Sequence, residues 1–392
     1  MSLRRAEAVG QVRQVGQVGR VGHICGSAGV SLLSFLDSAV WLGYHTVSHV
    51  SRRAKCPLEP DRRKMARMAA HIIDGEAIAA EIQAGLEREA AELRAAGRPV
   101  KLVAVIATDN RGARMYAASQ QKTCAAVGID YELSELLPDS TEDAIVARIE
   151  QLNADPSVSG IIIQMPLPDG VNARRLQRMI APAKDAEGMN PANQGMVVYA
   201  PQPFYRKPKP GEPGHDEWLE ASLGWPLPSP APCTPIAAIA LLRSLREDLY
   251  GKEAVVVGHS EIVGKPIALL LMAHFCTTTV CHIATRDLPS HVRHADIVVA
   301  AAGVPGLIKG DWIKPGAIVI DVGINRVPMV DGQGKPVLNE KGKPKMKTVG
   351  DVEFELASER ASHITPVPGG VGPTTVAMLL KNTVDAAKRA GG

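Results

Sequence analysis

A strand that breaks at a glycine and turns at once into a helix constrains this chain more than any other feature. In Glu253-Ala-Val-Val-Val-Gly-His-Ser-Glu-Ile-Val-Gly-Lys-Pro266 an apolar run ends at Gly258, a second glycine follows at Gly264, and an aliphatic helix pattern starts at Pro266. Pro266 suits a first helical turn, where a missing N–H costs little. The first turn of such a helix presents free backbone N–H groups to an anion, and the pyrophosphate of a dinucleotide is a frequent occupant. The spacing is G-x-S-x-x-x-G rather than G-x-G-x-x-G, so the turn alone does not decide the matter.

The next segments strengthen it. Thr277–His282 reads as a β-branched strand, Asp296–Gly303 as a third apolar strand, and Ala317–Gly323 as a fourth. Nearly all-apolar strands separated by helix-length segments are expected in a parallel sheet covered on both faces. Glycines close the first, third and fourth strands, at the edge where open α/β sheets bind ligands. The segment predicts a Rossmann-type domain that binds NAD or NADP.

At 392 residues the chain has room for two domains. A formal net charge of +3 is too small and too dispersed to argue for nucleic acid or a membrane surface. No stretch reaches bilayer-spanning length. The six cysteines form no C-x-x-C pair and no metal-like spacing with histidine, so they read as reduced thiols, with no metal expected and a cytoplasmic setting. Residues 1–67 differ from the rest: Gln11 to Gly22 is low-complexity, without helix or strand period. They are expected to be a low-complexity or disordered extension, or a start assigned upstream of Met65 or Met68. An arginine-bearing mitochondrial presequence is the minor alternative and a small domain the least supported.

The globular pattern begins at His71-Ile-Ile-Asp-Gly75. Ile78, Ile82, Leu86 and Leu93 mark one helix face ending at Gly97, Leu102–Ile106 a strand, and a helix follows around Tyr116. Tyr131 opens another strand. Ser140 and Asp143 suggest a capped helix with Ile145, Val146, Ile149 and Leu152 inward, before a strand at Gly160–Gln164. This is a second α/β unit. The expected division is 68–200 for the first domain, rejoined by a C-terminal helix at 374–390, then a Pro-rich, mostly irregular insertion at 201–231 and the nucleotide domain at 232–373.

Several short motifs then combine: Gln164-Met-Pro-Leu-Pro168, Lys184-Asp-Ala-Glu-Gly188, Pro232-Cys-Thr-Pro235, Asp321-Val-Gly-Ile-Asn325, Val349-Gly-Asp-Val352 and Pro366-Val-Pro-Gly-Gly-Val-Gly-Pro373. In this order they resemble the methylenetetrahydrofolate dehydrogenase/cyclohydrolase family over about His71 to Ala387. The resemblance implies two α/β domains flanking a cleft, with tetrahydrofolate in the first, NADP on the second, and a homodimer through the nucleotide domain. It implies substrate contacts at Tyr116, Gln164, Glu187, Pro368, Gly369 and Gly370. Cofactor contacts are implied at Gly258, His259, Ser260, Ile262, Val263, Gly264, Ile283 and Ile324.

Two positions depart from the family pattern. The family's catalytic lysine, four residues after the tyrosine, is Gln120 here. Residues i and i+4 share a helix face, whereas Lys122 is rotated about 200° away. Tyr116, Gln120 and Gln164 therefore form the expected catalytic group, and the hydrolytic step is expected to be weak, because glutamine neither carries nor releases a proton. Glu187 stands where the family has aspartate, one methylene longer but still able to accept two hydrogen bonds from a pterin. The cofactor expected is NADP, with NAD close behind: His259 and Ile283-Ala284 occupy the places that meet a 2′-phosphate, leaving Arg286 or a charged His259. The expected function is oxidation of 5,10-methylenetetrahydrofolate. The alternatives are the full dehydrogenase/cyclohydrolase and a non-catalytic folate-binding regulator.

Overall fold

The computed structural model describes residues 69–199, 208, 212–224, 227–333, 335–340 and 342–391. The expected extension at 1–67 lies outside the described residues, as does part of the expected insertion. The chain opens with a short strand, β1 (His71–Ile72), and a long helix, α1 (Gly75–Ala95). Asp74 starts that helix by accepting from the N–H groups of Glu76 and Ala77 at 3.0 Å. Gly97, at φ 75°, ends it in the left-handed conformation that only glycine adopts cheaply.

Then β2 (Lys101–Ile106), α2 (Arg111–Ala126), β3 (Asp130–Glu135), α3 (Glu142–Ala154) and β4 (Gly160–Ile163) alternate. Their strands form a parallel sheet in the order β3-β2-β4. Two short helices follow, α4 (Ala173–Met179) and α5 (Pro191–Val198), then α6 (His215–Leu223) and α7 (Cys233–Ser244).

The second unit runs β5 (Glu253–Val257), α8 (Gly264–Ala273), β6 (Thr277–Cys281), α9 (Leu288–His294), β7 (Ile297–Ala300), β8 (Ile318–Asp321), β9 (Asn325–Pro328), β10 (Met346–Val349), α10 (Phe354–Ser358), β11 (His363–Ile364) and α11 (Val371–Arg389). Six strands make one parallel sheet, in the order β1-β11-β8-β7-β5-β6. The strand order reverses around β5, which lies between the next two strands of the chain. An open α/β sheet has its crevice at such a reversal, outside the carboxyl ends of the strands. A shared core runs from Leu102 and Ile162 of the first sheet, through Leu379, Leu380 and Val384 of α11, to Val256 and Ile320 of the second. Helices α1, α7 and α11 pack on one another and tie the two sheets together.

The structure corrects the sequence expectations at five places. His71–Ile72, assigned to the first domain, pairs with His363–Ile364 at the edge of the second sheet, where it satisfies backbone groups that β11 would otherwise leave open. The α3 cap is Thr141 rather than Ser140: its Oγ1 accepts from Ala144 N at 3.3 Å. The last helix begins at Val371, before Thr374, because Pro373 falls in a first turn that needs no N–H from it. The insertion is not all irregular. Helix α6 lies in it, anchored by buried Trp218, whose ring meets Tyr250 edge-on at 5.8 Å. Finally, β9 and β10 form an antiparallel pair that no sequence pattern announced.

Candidate active site

The glycine turn sits at the strand-order reversal, directly after β5. Gly258 has φ 116°, and a Cβ there would lie 2.0 Å from the Ala301 carbonyl oxygen just past β7. A Cβ on Gly264 would lie 2.0 Å from the Gly258 carbonyl oxygen. Both glycines are therefore required by close backbone approach: the first brings two strand ends together, and the second lets α8 start against the turn. Ser260 Oγ accepts from Val263 N at 3.2 Å and Gly264 N at 3.4 Å, which holds the turn shut. His259 and the exposed Ser260 and Ile262 face outward, with the His259 ring 5.0 Å from His282. A bare, rigid cradle at a helix start over the sheet crevice fits the diphosphate of a dinucleotide.

In the first unit, Gln120 and Gln164 are both buried, and Gln164 Nε2 donates to Gln120 Oε1 at 2.6 Å. The Tyr131 hydroxyl donates to the same oxygen at 3.4 Å. Gln120 comes from α2 and Gln164 from the residue after β4, and the two elements meet at this hydrogen bond. Tyr116 is half-exposed, with its hydroxyl turned toward the Gln120 amide. Burial, then the nearby Glu187 and Cys233, hold its phenol above the usual value.

Glu187 is the ionisable group of this cluster. Burial first, and then the Asp185 carboxylate, push its carboxyl up to about 7, against a hydrogen bond from the Ile163 N–H. The turn that carries it is fixed from several sides. Asp185 Oδ2 accepts from Asn190 N at 2.7 Å and Asn193 Nδ2 at 2.8 Å. Gly188, at φ 70°, packs so tightly on Ala231 that a Cβ would come 2.0 Å from its carbonyl carbon. Lys184 of the same motif is structural: its Nζ donates to the carbonyls of Leu152, Asn153 and Asp155 at 3.0, 2.8 and 2.5 Å, closing the end of α3.

Tyr116 faces the nucleotide side across a cavity of about 520 Å³. Val263 of the glycine turn, Ile324 after β8, and the loop Pro368-Gly-Gly370 line the same space. The loop is held close: a Cβ on Gly75 would lie 1.8 Å from the Gly370 carbonyl oxygen. Gln120, Gln164 and Glu187 stand behind Tyr116 rather than in this lining. His259, Ser260 and Ile262 line a second cavity, whereas Ile283 is fully exposed beyond β6 and joins neither.

Two of the quoted motifs, around Asp321 and Asp351, brace the site, and the first of them also lines the cavity through Asp321, Val322, Gly323 and Ile324. The Asp321 carboxylate accepts from the N–H groups of Gly323, Asp351 and Val352 at 2.9, 3.0 and 2.9 Å, and burial lifts it to about 6. Buried Asp351 in turn accepts from Ala302 N and Gly303 N at 2.6 and 2.8 Å and from Asn325 Nδ2 at 2.8 Å. The ends of β7, β8 and β10 are thereby locked at one depth below the cleft. Sequence reasoning also passed over Glu76, Thr234 and Thr348, which line the first cavity. Thr234 lies inside a quoted motif, but nothing in the spacing marked its side chain.

The chain matches known proteins along its described length. Residues 73–187 match the catalytic domain of tetrahydrofolate dehydrogenase/cyclohydrolase, and residues 232–391 match its NAD(P)-binding domain. The segment 188–231 falls between the two matches. "Bifunctional protein FolD 2" of Geobacter sulfurreducens is 44% identical over 322 residues, covering 82% of this chain and 98% of the relative. Among solved structures, the bifunctional methylenetetrahydrofolate dehydrogenase/cyclohydrolase of Campylobacter jejuni aligns with a TM-score of 0.68 at 37% identity, over 82% of this chain and 99% of its own. The Trypanosoma brucei enzyme, solved with NADP cofactor and an inhibitor, aligns with a TM-score of 0.69 at 37% identity, over 83% and 99%. The chain belongs to the tetrahydrofolate dehydrogenase/cyclohydrolase family.

Proposed function

We propose that this protein oxidises 5,10-methylenetetrahydrofolate to the methenyl form, with NAD(P)⁺ as electron acceptor. The observation that carries this reading is the 520 Å³ cavity in which Tyr116 of one sheet unit faces Val263 and Ile324 of the other. Bound NAD(P)⁺ supplies the acceptor carbon for the substrate's methylene hydrogen. Lone pairs on the substrate's flanking nitrogens help expel that hydrogen as a hydride, with both electrons of its C–H bond, so the protein's task is positioning more than proton transfer. Tyr116 offers an aromatic face for the substrate ring system, Pro368 to Gly370 line the same cavity, and Glu187, set behind Tyr116, is the nearby carboxylate for the pterin's amino edge. The apolar lining at Val263, Val322 and Ile324 keeps water from the reacting carbon.

The second family activity, hydrolysis of the methenyl bridge, needs a group that takes a proton from water. The Gln120–Gln164 pair is neutral at both ends, and its shared oxygen is already engaged by two donors. Hydrolysis is therefore proposed to be weak. The outer edge of β6 has no strand neighbour among the described residues, which supports pairing of two copies through the nucleotide unit. Among the described residues, no helix is long and apolar enough to cross a membrane. The test is a spectrophotometric assay of purified protein with methylenetetrahydrofolate and each cofactor. Methenyl product with NADP or NAD is expected; none with either would remove the proposal.

A further inference from the structure

Positive charge gathers in one arm beside the Tyr116 cavity. Residues 325–349 carry six lysines and arginines against two acidic residues, whereas the whole chain carries 44 against 41. The arm alone therefore exceeds the chain's formal net charge of +3. Its base is the antiparallel pair of β9 and β10. Thr348 of β10 and Ile324, the residue before β9, both line the cavity. The root of the arm is thus part of the cavity wall, and its strands run from there into solvent.

The strand register decides which side chains serve the cavity. Thr348 lies directly opposite Arg326, and Met346 opposite Pro328. Opposed residues share a face of the ribbon, as do alternate residues along a strand, so these four project to one side. Thr348 marks that side as the one toward the cavity. Arg326 is exposed and has no charged partner among the described residues. Lys343, Lys345 and Lys347, also exposed, alternate with Pro344 and Met346 and occupy the other face. Elsewhere the lining is acidic: Glu76 of α1 reaches it beside Gly369, with Oε1 4.0 Å from where a Cβ on that glycine would stand. An anionic chain leaving the cavity is repelled at Glu76 and drawn toward Arg326.

The substrate carries such a chain. With its pterin end toward the Glu187 carboxylate behind Tyr116, its other end carries a glutamate with two carboxylates, and each further γ-linked glutamate adds one more. We infer that Arg326 holds the first glutamate of this tail, with Met346 and Pro328 beside its methylenes, and that Lys343, Lys345 and Lys347 attract longer γ-glutamate tails. An arginine fork matches a carboxylate with two parallel N–H donors, whereas the lysines act through their field. This rests on the folate-dependent dehydrogenase reading and adds the residues that read the tail.

The test is calorimetric titration of the full chain with three ligands: tetrahydropteroate, which has no tail, tetrahydrofolate, and tetrahydrofolate pentaglutamate. The wild type should bind tetrahydrofolate about fivefold more tightly than tetrahydropteroate, the reach of one exposed ion pair, and the pentaglutamate about tenfold more tightly again. Arg326→Gln should remove the first step, and Arg326→Lys should restore part of it. Tetrahydropteroate does not reach position 326, so its affinity is the control for folding. Lys343→Gln, Lys345→Gln and Lys347→Gln together should remove the second step and keep the first. Raising the ionic strength to about 1 M, where the screening length is roughly 3 Å, should shrink the second step more than the first. Equal affinity for the three ligands, or an Arg326→Gln variant that keeps the wild-type steps, overturns the inference alone. Binding of none of the three defeats the folate reading beneath it.

Discussion

Replacing Glu187 by glutamine should stabilise the protein while impairing it, and both effects should depend on pH. In the folded chain the Glu187 carboxyl rises from an ordinary 4.5 to about 7, through burial and then Asp185. Between those two values the native state holds a proton that the unfolded chain has released. Stability therefore falls as pH rises through that window, and above pH 7 the whole cost is present. A rise of about 2.5 pH units corresponds to roughly 3 kcal/mol, which residual solvent around the partly buried side chain trims to about 2 kcal/mol. Glu187→Gln cannot ionise. At pH 8 its Tm should exceed that of the wild type by roughly 5 °C, and the gap should close toward pH 5. In the oxidation assay, wild-type kcat/KM should climb with pH and level off above about 7, as the free enzyme's carboxylate becomes available to the pterin. The variant should lose that limb and run below the wild-type plateau. A variant less stable than wild type at pH 8, or one with an unchanged pH profile, would refute the reasoning.

Three further outcomes are expected. Gln120→Lys places a titratable amine beside Gln164, and methenyl hydrolysis above the buffer rate should appear; no gain would mean that position 120 does not limit the step. Gly264→Ala forces a methyl to within 2.0 Å of the Gly258 carbonyl oxygen, so NADPH affinity measured by fluorescence should fall at least about tenfold with a cost of about 1–3 kcal/mol in urea unfolding. Lys184→Met removes three hydrogen bonds to the end of α3, and should lower stability by about 1–3 kcal/mol while kcat stays within about twofold of wild type.

What could be read from the sequence was the part dictated by local chemistry. Gly258 and Gly264 announced a tight strand-to-helix turn, and the apolar strands around them announced a parallel sheet, because both signals lie within a few residues. The i, i+4 relation put Tyr116 and Gln120 on one face of α2, whereas the Gln120–Gln164 contact was implied only by the family resemblance. What escaped was long-range. That His71–Ile72 would complete the far edge of the second sheet depends on a pairing across nearly 300 positions, with no local mark. The Asp321–Asp351 brace lies inside quoted motifs, but its hydrogen bonds join residues 30 apart, and a carboxylate in a motif reads equally well as a ligand. Trp218 turned part of an expected irregular insertion into a helix, since one buried aromatic contact outweighs a Pro-rich flank.

The proposed oxidation depends on one hydride passing directly between two bound molecules across the Tyr116–Val263 cavity. Methylenetetrahydrofolate carrying deuterium on the bridging carbon, incubated with the protein and either oxidised cofactor, tests it by mass spectrometry of the products. The prediction is reduced cofactor bearing one deuterium, formed together with methenyltetrahydrofolate. Label released to water, or unreduced cofactor beside unchanged substrate, would contradict it.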